Sequence, residues 1–170
     1  MRSAILIESV IAICGEQNSG KTKTVKTLFG IDLKLRGRVA ESKKKLRLSG
    51  KDIYCEIFIS LGEEQDKDTI KEIIDFIILV IDKVTKKFPA SRINLILIFS
   101  IREEKGKEVI IEPIKWLRGK FTLFPIYLKL KDSSKFADSL MTEIDGYKVI
   151  ESREDYPEQA KELREFIEKS

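Results

Sequence analysis

Between residues 10 and 29 the chain changes character twice. An unbroken apolar run, Val10 to Cys14, meets the glycine-bounded octet Gly15-Glu16-Gln17-Asn18-Ser19-Gly20-Lys21-Thr22, and a segment of helical period follows. Consecutive apolar residues without alternation suit a strand covered on both faces. Val25, Leu28 and Phe29 fall on one face of a helix over Lys21 to Phe29, and Gly30 supplies a C-terminal cap. A doubly buried strand leading into a helix predicts an α/β protein whose sheet is covered on both faces.

The remaining pattern fills in that architecture. Lys45 to Leu48 and Ile53 to Ser60 flank Ser49-Gly50-Lys51-Asp52 and predict a β-hairpin after the first helix. From Asp66 to Phe88, Ile70, Ile74, Ile77, Ile81, Val84 and Phe88 step by three and four, which predicts one long helix ended by Pro89. Within it, the aliphatics before Asp82 also fit a strand carrying a metal-binding acid, but the sustained period favours helix. Ile93 to Ser100 is an unbroken apolar run and predicts a central strand. Glu112 to Leu117 begins a short helix with Pro113 in its first turn, and Phe121 to Leu130 is a strand that Pro125 pushes toward an edge. Ser133 to Ile144 and Pro157 to Lys169 predict helices, with a short strand at Tyr147 to Ile150.

Composition narrows the chemistry. The 170 residues are enough for one domain with a substantial core, and we expect a single domain over 1–170. The sequence has no histidine and two cysteines, Cys14 and Cys55, set far apart in apolar runs. That excludes Ser-His-Asp and His-activated cysteine chemistry and predicts buried thiols in a reducing cytoplasm rather than a zinc site. The net charge of +4 is spread along the chain; the basic stretch Arg36, Arg38, Lys43, Lys44, Lys45 and Arg47 is the one place where nucleic acid could be met, although such runs are mostly solvated. Glu8 interrupts the first apolar segment, no signal-peptide pattern is present, and no run is long enough to span a membrane. Three Gln and two Asn against abundant Lys, Glu and Ile suggest a thermophilic, archaeal source.

The octet fits G-x-x-x-x-G-K-[ST] at every fixed position and has the strand and helix that pattern requires on either side. Glycines let the backbone wrap a phosphate, loop amides and the helix start offer donors, Lys21 adds a charge between the β- and γ-phosphates, and the Thr22 hydroxyl completes a magnesium shell. Here the chain resembles the P-loop NTPase superfamily, and the resemblance implies a three-layer α/β/α sandwich with a mostly parallel sheet. The resemblance implies that Gly15, Glu16, Gln17, Asn18, Ser19, Gly20, Lys21, Thr22 and Lys23 hold a nucleoside triphosphate with Mg2+, with Lys21 also catalytic. The further outline, a hairpin ending in Ser-x-Gly and a strand ending in Ser-x-Arg, is similar to small uncharacterised P-loop ATPases of prokaryotic genomes.

Members of that superfamily normally carry an acid at the tip of the strand beside the first. No strand here ends unambiguously in Asp, and the nearest substitute is Ser60-Leu61-Gly62-Glu63-Glu64, which resembles in place the turn after the small-GTPase hairpin but has Ser60 where those proteins have Asp. Glu63 is the candidate for orienting water. The GTPase base motif is replaced by Lys129-Leu130-Lys131-Asp132 with the wrong spacing, so ATP is the expected nucleotide and GTP the alternative. Ser100, Arg102 and Lys105 sit where P-loop proteins often keep a phosphate sensor, or form a solvated loop. Three functions stay open: a Mg-dependent ATPase with a switch role toward a protein partner, as a monomer or homodimer; a nucleotide or nucleoside kinase using Lys115 to Lys120 as a lid; and a non-catalytic nucleotide-binding module or GTPase-like switch.

Overall fold

The computed structural model describes residues 7–29, 35–36, 39–41, 46–48, 50–58, 70–87, 92–153 and 155–169, with backbone alone for 35–36, 39–41, 46, 48 and 55–58. In chain order these form β1 (Ile7–Glu16), α1 (Lys21–Phe29), β2 (Leu35–Arg36), β3 (Val39–Glu41), β4 (Leu46–Leu48), β5 (Lys51–Phe58), α2 (Ile70–Lys87), β6 (Ile93–Ile101), a single 3-10 turn (Glu103–Lys105), α3 (Glu108–Lys120), β7 (Thr122–Lys129), α4 (Lys135–Thr142), β8 (Lys148–Glu151) and α5 (Tyr156–Lys169). The sheet runs β2-β3-β5-β6-β1-β7-β8, with β4 also on β5. From β5 through β8 every pairing is parallel, while β2, β3 and β4 pair antiparallel.

Side-chain alternation along the two central strands builds the three layers. Val10, Ala12 and Cys14 of β1, with Leu95, Leu97 and Phe99 of β6, belong to the core that includes Ile73 and Ile77 of α2, Ile114 of α3 and Leu140 of α4. Ile11, Ile13, Ile96 and Ile98 join Val25 and Leu28 of α1 and Leu163 and Ile167 of α5 in the other core. Both faces of β1 and β6 are therefore apolar, the reason their sequences show no alternation. Each fully buried Ile or Leu contributes about 1.5–3 kcal/mol, so these strands form a rigid base for whatever lies at their carboxyl ends.

Several expectations are corrected. The α2 helix buries Ile73, Ile77, Val80 and Val84, so Ile70, Ile74 and Ile81 sit at the margin of the face rather than on it. Asp82 lies within α2, as the helical period predicts, exposed and 2.9 Å from Lys86, and is no strand-end acid. Helix α3 starts four residues earlier than read, at Glu108, which puts Pro113 inside it. β7 is interior, between β1 and β8, with Pro125 opposite Ala12. It is tolerated because β8 begins to pair only at Ile126, leaving that flank of β7 unpaired at Pro125. β2 and β3 had no signal strong enough to be read. Of the basic stretch, Arg47 pairs with Asp52 across the hairpin at 3.1 Å. Among the described residues no helix is long and apolar enough to cross a membrane.

Candidate functional site

Because the strands flanking β1 run parallel to it, their carboxyl ends share one edge of the sheet, and the octet leaves β1 at that edge between β6 and β7. The loop is shaped by two left-handed residues. Asn18 at φ 69° lets the Ser19 amide close a turn onto the Glu16 carbonyl at 3.1 Å, and Gly20 at φ 81° turns the chain into α1. Gly15 is required for a different reason, since a Cβ there would lie 2.5 Å from Ser19 Oγ and 3.1 Å from the Leu128 carbonyl oxygen. The Thr24 amide makes the bond to the Gly20 carbonyl at 2.8 Å. The amides of Lys21, Thr22 and Lys23 open the helix ahead of it, without intrahelical acceptors. Such a helix start favours an anion.

Lys21 folds back over this loop. Its Nζ donates to the Glu16 carbonyl at 2.7 Å and to Ser19 Oγ at 3.3 Å, leaving the third ammonium proton for a ligand. The side chain is only 7% exposed, and among the described residues it makes no ion pair. Burial pushes its pKa down to about 8; the positive charge of Arg102 pushes in the same direction, and Cys14 and the Glu16 carboxylate oppose it. Beneath it Cys14 is a free thiol, fully buried, whose pKa burial raises to about 12; it is an inert core residue. Thr22 is half-buried in the first turn of α1, and Gln17, Asn18 and Lys23 are exposed at the rim.

Three long-range contacts, with no counterpart in the sequence reading, fix the loop from the β7–β8 side. Glu16 Oε1 accepts from the Ser134 amide at 3.0 Å at the start of α4, whose Ser134 hydroxyl caps Ala137. Ser152 Oγ, just after β8, donates to the Ser19 carbonyl at 2.7 Å. The Tyr156 ring abuts Gly20 and lies 5.2 Å from Lys23 Nζ, a cation–π contact. Gln159, 1% exposed, donates to Thr24 Oγ1 at 2.8 Å and accepts from the Arg153 amide, tying α5 to α1. The signal available was local: Asp155, whose carboxylate caps the Glu158 amide at 3.1 Å, marks the start of α5 and so places Tyr156 and Gln159 in its first turns. Gln159→Leu strands the Arg153 amide and the buried Thr24 hydroxyl and is expected to cost about 1–3 kcal/mol, read by urea denaturation.

On the opposite side, the tip of β6 stands beside the loop. Ser100 is in register with Gly15 and Ile101 with Glu16, so Arg102 is level with the start of the turn. The strand neighbouring β1 thus ends in Ser-Ile-Arg, with Glu103 and Glu104 exposed in the 3-10 turn beyond and Lys105 closing it. The hairpin strand β5 is one place further out, separated from β1 by β6, which differs from the arrangement its resemblance to the small-GTPase hairpin implies. Ser60 to Glu64, including Glu63, lie outside the described residues. At the end of β7, Lys129 is 3.9 Å from Asp138, and Lys131 and Asp132 are exposed. The candidate lid is helical: Lys115 pairs with Glu112 at 3.6 Å and Arg118 donates to the Asp145 carbonyl. These residues close α3 just before β7 starts, at the opposite edge of the sheet from the loop, so they are no lid for it.

Among the described residues no three His, Cys, Asp or Glu side chains cluster as a metal site. The donor set fits magnesium all the same, because that ion keeps most of its waters and enters with the phosphates, needing from the protein one hydroxyl such as that of Thr22. No protein-family model matches the chain, and no curated protein matches it.

Proposed function

We propose that this protein binds a Mg-nucleoside triphosphate on residues 15–22 and hydrolyses it in the cytoplasm, as an ATPase that governs a partner. The observation that carries this reading is Lys21: an ammonium group held at 7% exposure over a strand–loop–helix junction, with a carbonyl and a hydroxyl as its hydrogen-bond acceptors among the described residues. A buried cation that makes no ion pair among the described residues is suited to meet an anion. The Thr22 hydroxyl would hold a magnesium ion, which would supply Lewis-acid neutralisation of phosphate charge.

In hydrolysis a water oxygen attacks the γ-phosphorus, the bond to the ADP oxygen breaks, and the water proton passes to solvent as inorganic phosphate forms. Lys21 and the loop amides stabilise the charge on the transferring group, and Glu63 is our candidate for orienting the water. ATP is preferred over GTP because Lys129 to Asp132 lack the guanine-reading pattern. The kinase reading loses its lid, since Lys115 to Lys120 stand at the far edge. The non-catalytic reading keeps one observation in its favour, the absence of an acid in the Ser100-Ile101-Arg102 tip of β6.

Phosphate release from ATP and GTP with magnesium, with and without nucleoside monophosphates, tests the proposal. Release from ATP without an acceptor is expected, and Glu63→Gln should slow it at least tenfold. Transfer only to an acceptor would make the protein a kinase, and tight binding without release would make it a binding module.

A further inference from the structure

Helix α2 lays Ile73, Ile77, Val80 and Val84 on the sheet and turns its other side outward. At the middle of that outer side is Leu79, 61% exposed, the most exposed large hydrophobic among the described residues, with Ile78 at 45% beside it. The charges that share the face of Leu79 are antisymmetric about it. Glu72 and Asp75 lie seven and four residues before it, and Lys83 and Lys86 lie four and seven residues after it. Steps of four and seven return to one face of a helix, so acid, acid, leucine, base and base form a single row along α2.

Acids toward the amino end and bases toward the carboxyl end also suit the dipole of a lone helix. That accounts for the charges and not for the leucine at their centre. A row of this kind is its own complement when reversed. A second α2 laid antiparallel, with the two Leu79 side chains meeting at a two-fold axis, sets Glu72 and Asp75 of each copy against Lys83 and Lys86 of the other, and the helix dipoles oppose as well. A parallel pair in register would set like charges together. Within one chain Asp82 already holds Lys86 at 2.9 Å, and Glu72 and Lys83 have contacts of their own. Exposed pairs of this kind are worth about 0–1 kcal/mol, so they yield readily to a partner.

We propose that α2 is the surface through which two copies of this chain associate, antiparallel and centred on Leu79. The helix covers the face of the sheet opposite α1, so the pairing uses none of residues 15–22 and stands apart from the nucleotide reading. An α-helix of 18 residues is about 27 Å long. One pair of such helices is at the small end of specific interfaces, which places the expected dissociation constant at about 10 μM to 1 mM.

The test is sedimentation equilibrium of the full chain over about that concentration range. The wild type is compared with Leu79→Asp and with two charge-reversed variants, Glu72→Lys with Asp75→Lys, and Lys83→Glu with Lys86→Glu, with urea curves on all four. The wild type should dimerise, more weakly as salt is raised. Each variant alone should dimerise at least about tenfold more weakly, and an equimolar mixture of the two charge-reversed variants should recover the wild-type affinity as a heterodimer. Recovery on mixing also reports that both are folded. A wild type still monomeric at the top of the range would overturn the proposal and leave Leu79 to a different protein. A dimer that survives Leu79→Asp, or a mixture that associates no more tightly than its folded components, would overturn it too, by placing the contact on another face.

Discussion

Lys21→Met is expected to weaken Mg-ATP binding by about a hundredfold or more and, in the ligand-free protein at pH 7, to raise stability by about 1–2 kcal/mol. The two effects have one origin. Lys21 is held at 7% exposure with its pKa lowered from 10.5 to about 8, so its ammonium form is disfavoured by folding. A displacement of that size corresponds to about 3 kcal/mol, from which the loss of the contacts to the Glu16 carbonyl and Ser19 hydroxyl must be subtracted. Methionine keeps the length and apolar stem and discards the charge.

The sign of the pH dependence follows from the direction of the shift. Between pH 8 and 10.5 the unfolded chain still binds a proton at this lysine that the folded protein has released, so wild-type stability rises with pH across that window. Below pH 8 the cost of burying the ammonium is fully present. The advantage of Lys21→Met should therefore be largest at pH 7 and shrink toward pH 10.5. Urea curves at pH 7, 9 and 10.5 check this; a variant less stable than the wild type at pH 7, or a difference flat with pH, would mean that the ammonium carries no burial cost.

What could be read from the sequence was what is determined over a few residues. β1, the octet and α1 were legible because an apolar run, two glycines and a helical period are adjacent, and β6 because nothing polar interrupts Ile93 to Phe99 apart from Asn94. The side chosen by α2 was not legible: the run Ile73-Ile74-Asp75-Phe76-Ile77-Ile78-Leu79-Val80-Ile81 is apolar on nearly every face, so periodicity selects a helix without selecting which stripe is buried. Strand order was likewise invisible. Nothing within Lys51–Phe58 states that it pairs with β6 instead of with β1; that is decided by how the long helix α2 crosses over the sheet. The contacts of Ser134 and Ser152 with the loop, and of Gln159 with α1, join positions more than a hundred residues apart, which local pattern does not encode.

Gly20→Ala should cost about 3 kcal/mol, more than any other conservative change in the loop, and the cost should divide into two parts that a second mutation separates. The first is conformational. Gly20 sits at φ 81°, where a Cβ brings strain of about 1–2 kcal/mol whatever the surroundings. The second is steric: an added Cβ would lie 2.6 Å from Cε1 and 3.2 Å from Cδ1 of Tyr156. That ring must move, and with it the first turn of α5, whose Gln159 holds Thr24. Tyr156→Ala removes the obstruction and leaves the backbone strain, so in its presence Gly20→Ala should cost only the first part. The coupling measured by this double-mutant cycle is expected to be about 1 kcal/mol, read from urea denaturation of the four proteins. Strict additivity would mean that the ring yields freely and that α5 does not brace the loop through Tyr156. A coupling of the expected size would instead make the α5 amino terminus part of the site, because the backbone turn that presents the Lys21 amide then depends on the ring packed beneath it.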